Sequence, residues 1–131
     1  MALDPAALPP DAAAFAAERH LATLTTLRPD GTPHVAPVGF TWDGGTGLVR
    51  IITFASSRKV RNLVAAAGPR AAVCQVDGGR WLTFEGPATV TDDPDRVAEA
   101  VRRYAERYRR PGERADRVAI EIAADRVLGR A

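Results

Sequence analysis

Strand-forming runs follow one another along this chain at hairpin distances. Leu21–Arg28 and Pro33–Trp42 are separated by Pro29-Asp30-Gly31-Thr32, and Asp43-Gly44-Gly45-Thr46-Gly47 leads into Leu48–Ala55. Arg70–Val76 and Arg80–Thr91 flank Asp77-Gly78-Gly79, and Arg117–Val127 closes the series. Turns of this kind combine the fixed φ of Pro with the positive φ that Gly tolerates, as tight antiparallel connections require. The strands do not alternate with helices as a doubly wound sheet requires, and no G-x-G-x-x-G occurs. The pattern predicts a mainly β (α+β) chain: a six-stranded antiparallel barrel with helices packed on its outside. At 131 residues the length suits one domain, 1–131, that buries about two-thirds of its unfolded surface.

Three helices are expected between the strands. The first begins near Asp11, after Pro9-Pro10, and carries Ala14, Phe15 and Ala17 towards His20. The last opens on Asp93-Pro94, a capping side chain followed by proline at the first helical position. It aligns Val97, Val101, Tyr104 and Tyr108 and ends near Pro111-Gly112. The middle helix covers the alanine-rich stretch Val60–Ala67 and stops at Gly68-Pro69.

That middle helix carries the main functional signal. With Ser56 or Ser57 as its N-cap, Arg58 and Lys59 fall in the first turn, and Lys59 is the only lysine of the chain. A cation there opposes the helix dipole at a cost of about 0.3–1 kcal/mol. A bound anion, held by the free backbone N–H groups and these side chains, reverses that sign. Two readings stand: a phosphate site, or two charges solvating a helix end.

Elsewhere the residues mainly exclude. A hydrophobic content of 46%, a charged content of 26% and a net charge of +2 fit a globular protein and do not call for nucleic acid, whose binding motifs are absent. Cys74, the only cysteine, lies in the apolar run AAVCQV and reads as a small buried hydrophobe. The first twenty residues lack the basic start and apolar core of a signal peptide, and no run is long enough to span a membrane, so the cytoplasm is expected. No G-x-S-x-G or H-E-x-x-H occurs, and His20 and His34 have no ligand-spaced partners, so neither a catalytic side chain nor a metal site is assigned. A chain without such groups can still be an enzyme if a cofactor carries the reaction.

Three further features have open readings. Pro37 cannot donate a ladder bond, so it marks either an ordinary edge strand or backbone open to a flat ring. Trp81 shares a face with Thr83 and Glu85, as an interface residue or a lone surface aromatic. Arg102, Arg103, Arg107, Arg109 and Arg110 read as a solvated helix face.

Together the pieces resemble the pyridoxamine-phosphate-oxidase-like split β-barrel family, in its deazaflavin branch that uses coenzyme F420. The resemblance runs from Phe15 to Gly129 and is carried by the order and spacing of several segments. These are His20–Arg28 (HLATLTTLR), Pro33-His34-Val35, Val38–Thr41, Lys59 with Asn62, Gln75–Gly78, Arg80-Trp81-Leu82, Glu85-Gly86 and Tyr104–Arg109 (YAERYR).

It implies a split barrel and a homodimer with two cofactor sites at the subunit interface. In such proteins the strand equivalent to His34, Val35, Ala36, Pro37 and Val38 lines the deazaflavin. Ala55, Ser56, Arg58, Lys59 and Asn62 then hold the phosphate-bearing chain, while Gly78, Gly79, Arg80, Trp81, Leu82 and Thr83 contribute from the seam. The implied activity is hydride transfer from reduced F420 to a small conjugated acceptor, with biliverdin, reduced to bilirubin, as the candidate. An FMN-dependent oxidoreductase of the same fold and a non-catalytic deazaflavin or tetrapyrrole carrier remain as alternatives.

Overall fold

The structure is a computed structural model that describes residues 1–131. It contains nine strands, not six. They are β1 (Ala2–Leu3), β2 (Ala22–Leu27), β3 (Pro33–Val38), β4 (Thr41–Asp43), β5 (Leu48–Phe54), β6 (Arg70–Asp77), β7 (Arg80–Thr91), β8 (Arg117–Ala123) and β9 (Arg126–Arg130). The helices are α1 (Pro10–Ala17), α2 (Arg58–Ala65) and α3 (Pro94–Arg107).

Two of the additional strands arise where tertiary contacts break a run that reads as continuous. The run Pro33–Trp42 divides at Gly39-Phe40. A Cβ on Gly39 would sit 2.9 Å from the Tyr104 ring and 3.0 Å from that of Tyr108, and the Phe40 N–H donates to the Tyr108 hydroxyl at 3.2 Å. The run Arg117–Val127 divides at Ala124-Asp125, whose N–H groups leave the ladder to bond Gly47 O and Glu85 O at 3.0 Å each. The ninth strand is Ala2–Leu3, which pairs with β9.

Every pairing is antiparallel, and the hydrogen-bonded order runs β3-β2-β6-β7-β8-β5-β4. Its terminal strands β3 and β4 do not pair with each other, so the sheet curls round without closing. β7 is the pivot. Its first half, Trp81–Glu85, pairs with β9, and its second half, Ala88–Thr91, pairs with β8. The bend between them falls at Gly86, where a Cβ would stand 1.9 Å from Ala123 O. Only glycine permits that approach.

The interior is one apolar cluster that includes Phe15, Leu24, Phe40, Ile51, Leu82, Phe84, Ile120 and Ile122. Asp93 caps α3 as its spacing predicts, accepting from the Arg96 N–H at 3.0 Å, but the helix ends at Arg107, short of Pro111. α1 likewise stops at Ala17, before His20. No helix is long and apolar enough to cross a membrane.

Candidate functional site

The gap in the barrel opens into a cavity of about 330 Å³. Pro37, Val38 and Gly39 form one wall, and Ile52, Thr53 and Phe54 of β5 form the other. Lys59 of α2 and Tyr104 of α3 close two further sides, with Pro111, Arg114 and Arg117 at the remaining edge. No carboxylate lines this space. β3 bonds only to β2, so its outer edge offers free backbone groups at the cleft, as Pro37 signalled in the sequence.

Helix α2 aims its N-terminus at the same place. Ser57 is the N-cap, its hydroxyl accepting from the Val60 N–H at 3.4 Å and from the Thr53 hydroxyl at 3.3 Å. Arg58 and Lys59 are therefore the first two helical residues, and helix geometry leaves their N–H groups without intrahelical partners. The first turn holds no acidic residue. Burial pushes the Lys59 ammonium below the usual lysine range. It makes no ion pair, and its only cation-directed contact is with the Phe54 ring, whose centroid lies 5.9 Å away. Charge held in this way, desolvated and without a counter-charge, is costly unless an anion offsets it.

Beneath α2 the inward residues of β2 meet the helix. Asn62 is buried and donates from Nδ2 to the Thr26 hydroxyl at 3.0 Å. His34 lies opposite Thr26 in the β2–β3 register. His34 Nδ1 and Asn62 Oδ1 are both buried without a partner. Unpaired buried polar atoms are uncommon, and Thr41 Oγ1 and Arg50 Nε are the other two in this structure. Burial first, then the positive fields of Arg28, Lys59 and Arg58, hold the His34 imidazole below its ordinary range. The ring is therefore neutral at neutral pH and adds no charge to the site.

The residues expected from the sequence thus divide into two groups. Pro37, Val38 and Lys59 line the cleft, with Arg58 and Ser56 exposed at the start of α2 and Ala55 in the turn before it. His34 and Ala36 face inward beside Thr26 and Leu24, while Val35 faces outward. None of Gly78, Gly79, Arg80, Trp81, Leu82 or Thr83 lines the cavity. Leu82 is in the core, and Gly78 and Gly79 form an exposed tip. Arg80 is tied to Glu18 at 2.8 Å and to Asp77 at 2.6 Å. That pairing also engages the carboxylates beside His20, the one place where His and acidic groups cluster at ligand distance.

The outward face of β3-β2-β6-β7 is left uncovered. Leu27, Val35 and Val76 are 56%, 57% and 61% exposed there, flanked by Thr23, Cys74, Trp81 and Thr83. Cys74 is half-buried on this face, which corrects the expectation of a core thiol: its odd register position in β6 turns it away from the core.

Sequence reasoning missed several cleft residues, including Phe54, Tyr104, Arg114 and Arg117. The spacing of Tyr104 on α3 predicts packing and gives no sign of a cleft, and Arg114 sits in a loop with no local pattern. Arg107 is also not part of a solvated face. It is half-buried, donates from Nη1 to Phe40 O at 2.5 Å and from Nε to Glu18 O at 2.9 Å, and also bonds Gln75 Oε1. Arg107 thereby locks α3 to the β3–β4 break and to the end of α1.

The open antiparallel barrel, its cationic cleft and the sequence itself define a class. Residues 8–131 match the family described as pyridoxamine 5'-phosphate oxidase, and the chain belongs to that family. Within it, the chain is 52% identical over 121 residues, 92% of its length and 87% of the relative's, to a Mycobacterium tuberculosis (strain CDC 1551 / Oshkosh) protein named F420H(2)-dependent biliverdin reductase. A solved structure titled F420 Reductase superposes with a TM-score of 0.71 at 28% identity, covering 88% of this chain and 94% of that one. A conserved hypothetical protein of Mycobacterium tuberculosis gives a TM-score of 0.77 at 27% identity, over 91% and 81% of the two chains.

Proposed function

We propose that this protein is an F420-dependent reductase that passes a hydride from the reduced deazaflavin to biliverdin, which also takes up a proton from solvent to give bilirubin. The observation that carries the reading is the 52% identity, spread over 92% of the chain, to a protein of that name. The cleft fits the cofactor on independent grounds: Lys59, without an ion-pair partner in the first turn of a capped helix, lines an opening that holds no carboxylate.

Bound F420 would supply the hydride. The protein's own residues have other tasks. Arg58, Lys59 and the free N–H groups of α2 would hold the phosphate. The β3 edge from His34 to Val38 would set the plane of the ring, and Asn62 would fix the helix against Thr26. Tyr104 and Phe54 would exclude water from the reacting face, which sharpens every charge interaction inside. We assign no side chain as proton donor.

A homodimer belongs to the same proposal. The uncovered apolar face of β3-β2-β6-β7 is suited to burial against a second copy. Such a seam would bring the Gly78–Thr83 region of the other subunit towards the cleft, which it does not reach within one chain. The half-exposed, unpaired Cys74 suits a reducing cytoplasm.

Reduced F420 mixed with biliverdin and this protein, followed by absorbance, tests the activity. Loss of the biliverdin band with growth of bilirubin is expected. Binding of both compounds with no bilirubin formed at saturating cofactor would make the protein a carrier and end the reductase reading.

A further inference from the structure

We infer that Arg114 and Arg117 form a carboxylate-reading pair at the cleft, an inference that rests on the proposal that the cleft receives cofactor and acceptor. A second cavity of about 510 Å³ lies beside the first, and Arg114 and Arg117 are the two residues that line both. They form the partition between a lobe without carboxylates and a lobe that contains Asp92 and Glu113 alongside Val97 and Val101 of α3.

The geometry around Phe54 sets the pair. The Arg114 guanidinium stacks 4.0 Å from the Phe54 ring centroid, and its Nε donates to Asp116 Oδ1 at 2.6 Å. Those two contacts hold the plane and leave both terminal nitrogens available. Arg117 lies directly opposite Phe54 in the β5–β8 register. Lys59 approaches the same ring from α2. Two cations thus lie over one aromatic ring with a third on the strand position opposite it, and the only ion pair any of them makes is Arg114–Asp116.

One phosphate at the α2 N-terminus engages Lys59 and leaves Arg117 without an anion and the terminal nitrogens of Arg114 uncommitted. Forked guanidiniums match carboxylates in a two-bond geometry that an ammonium cannot reproduce. Asp92 and Glu113 repel negative charge from the second lobe, so a carboxylate meets the pair from the first. Two ligands of this reaction carry carboxylates, the acceptor through its propionates and the cofactor through its oligoglutamate tail.

Binding titrations on Arg114→Gln, Arg117→Gln and the unaltered protein separate these sources without relying on turnover. Fluorescence quenching gives affinities for F420 with and without its glutamates. Absorbance titration of the cofactor-loaded protein gives affinities for biliverdin and for its dimethyl ester. If the tail is read, the variants lose about tenfold affinity or more for glutamate-bearing F420 and none for the glutamate-free form. If the acceptor is read, the same loss falls on biliverdin and spares the ester. Variants that bind all four compounds as the unaltered protein does would overturn the inference. Intact binding discrimination in a protein that forms no bilirubin would instead fault the proposed reaction while upholding the pair.

Discussion

Lys59→Ala is expected to move stability and cofactor affinity in opposite directions. In the free protein Lys59 is partly buried, unpaired and in the first turn of α2, where the dipole disfavours a cation. Its removal relieves about 0.3–1 kcal/mol, and alanine adds a few tenths through helix propensity. The lost contact with Phe54, at 5.9 Å, offsets about 0.5 kcal/mol of that gain, the low end for a cation–ring contact at the limit of its range. The net change in the free protein is therefore between about zero and 1 kcal/mol, on the stabilising side. With cofactor the sign reverses. Loss of one charge-assisted bond to phosphate costs about 1.5–3 kcal/mol, or about 10- to 150-fold in Kd. Urea unfolding of the free variant, paired with a quenching titration against F420, reads both numbers. An affinity within twofold of the unaltered protein, or a parallel loss of stability and affinity, would refute the anion-site argument.

Two further perturbations follow from the structure. Arg107→Ala removes a guanidinium that bonds Phe40 O, Glu18 O and Gln75 Oε1, leaving the buried Gln75 Oε1 unpaired and Phe40 O with only its 3.3 Å bond from the Tyr108 hydroxyl. Destabilisation of about 2–4 kcal/mol is expected in urea unfolding, and a change under 1 kcal/mol would show that the bonds are replaced by water. His34 has a folded-state pKa below its unfolded value, through burial and then the charges of Arg28, Lys59 and Arg58. The unfolded chain therefore takes up the proton first, so stability falls as pH drops through about 6.5 and on towards the folded value. His34→Gln removes that part of the pH dependence; an identical pH–stability slope in the variant would contradict the assignment.

Much of the fold was legible because hairpin turns and caps are local. Pro29–Thr32, Asp77-Gly78-Gly79 and Asp93-Pro94 all lie where their chemistry predicts. The strand count was not, because its breaks come from distant partners. Gly39 yields to two tyrosines of α3 and Ala124 to the carbonyl of Gly47, and neither leaves a mark in its own neighbourhood of sequence. The site divides in the same way. Lys59 was visible as a charge with the wrong sign for its place on a helix. Arg107 was not, since its acceptors include backbone carbonyls 67 and 89 residues away, and its spacing on α3 matches that of solvated arginines. Arg114 and Arg117 acquire meaning only when β8 brings them beside Phe54.

The most direct test is a paired titration of the unaltered protein with F420 and with FMN, read by fluorescence quenching and repeated with Lys59→Ala. Saturable F420 binding much tighter than FMN binding, weakened at least about tenfold by the substitution, is the expected result. Tighter binding of FMN, or F420 affinity indifferent to Lys59, would contradict a deazaflavin held at the start of α2.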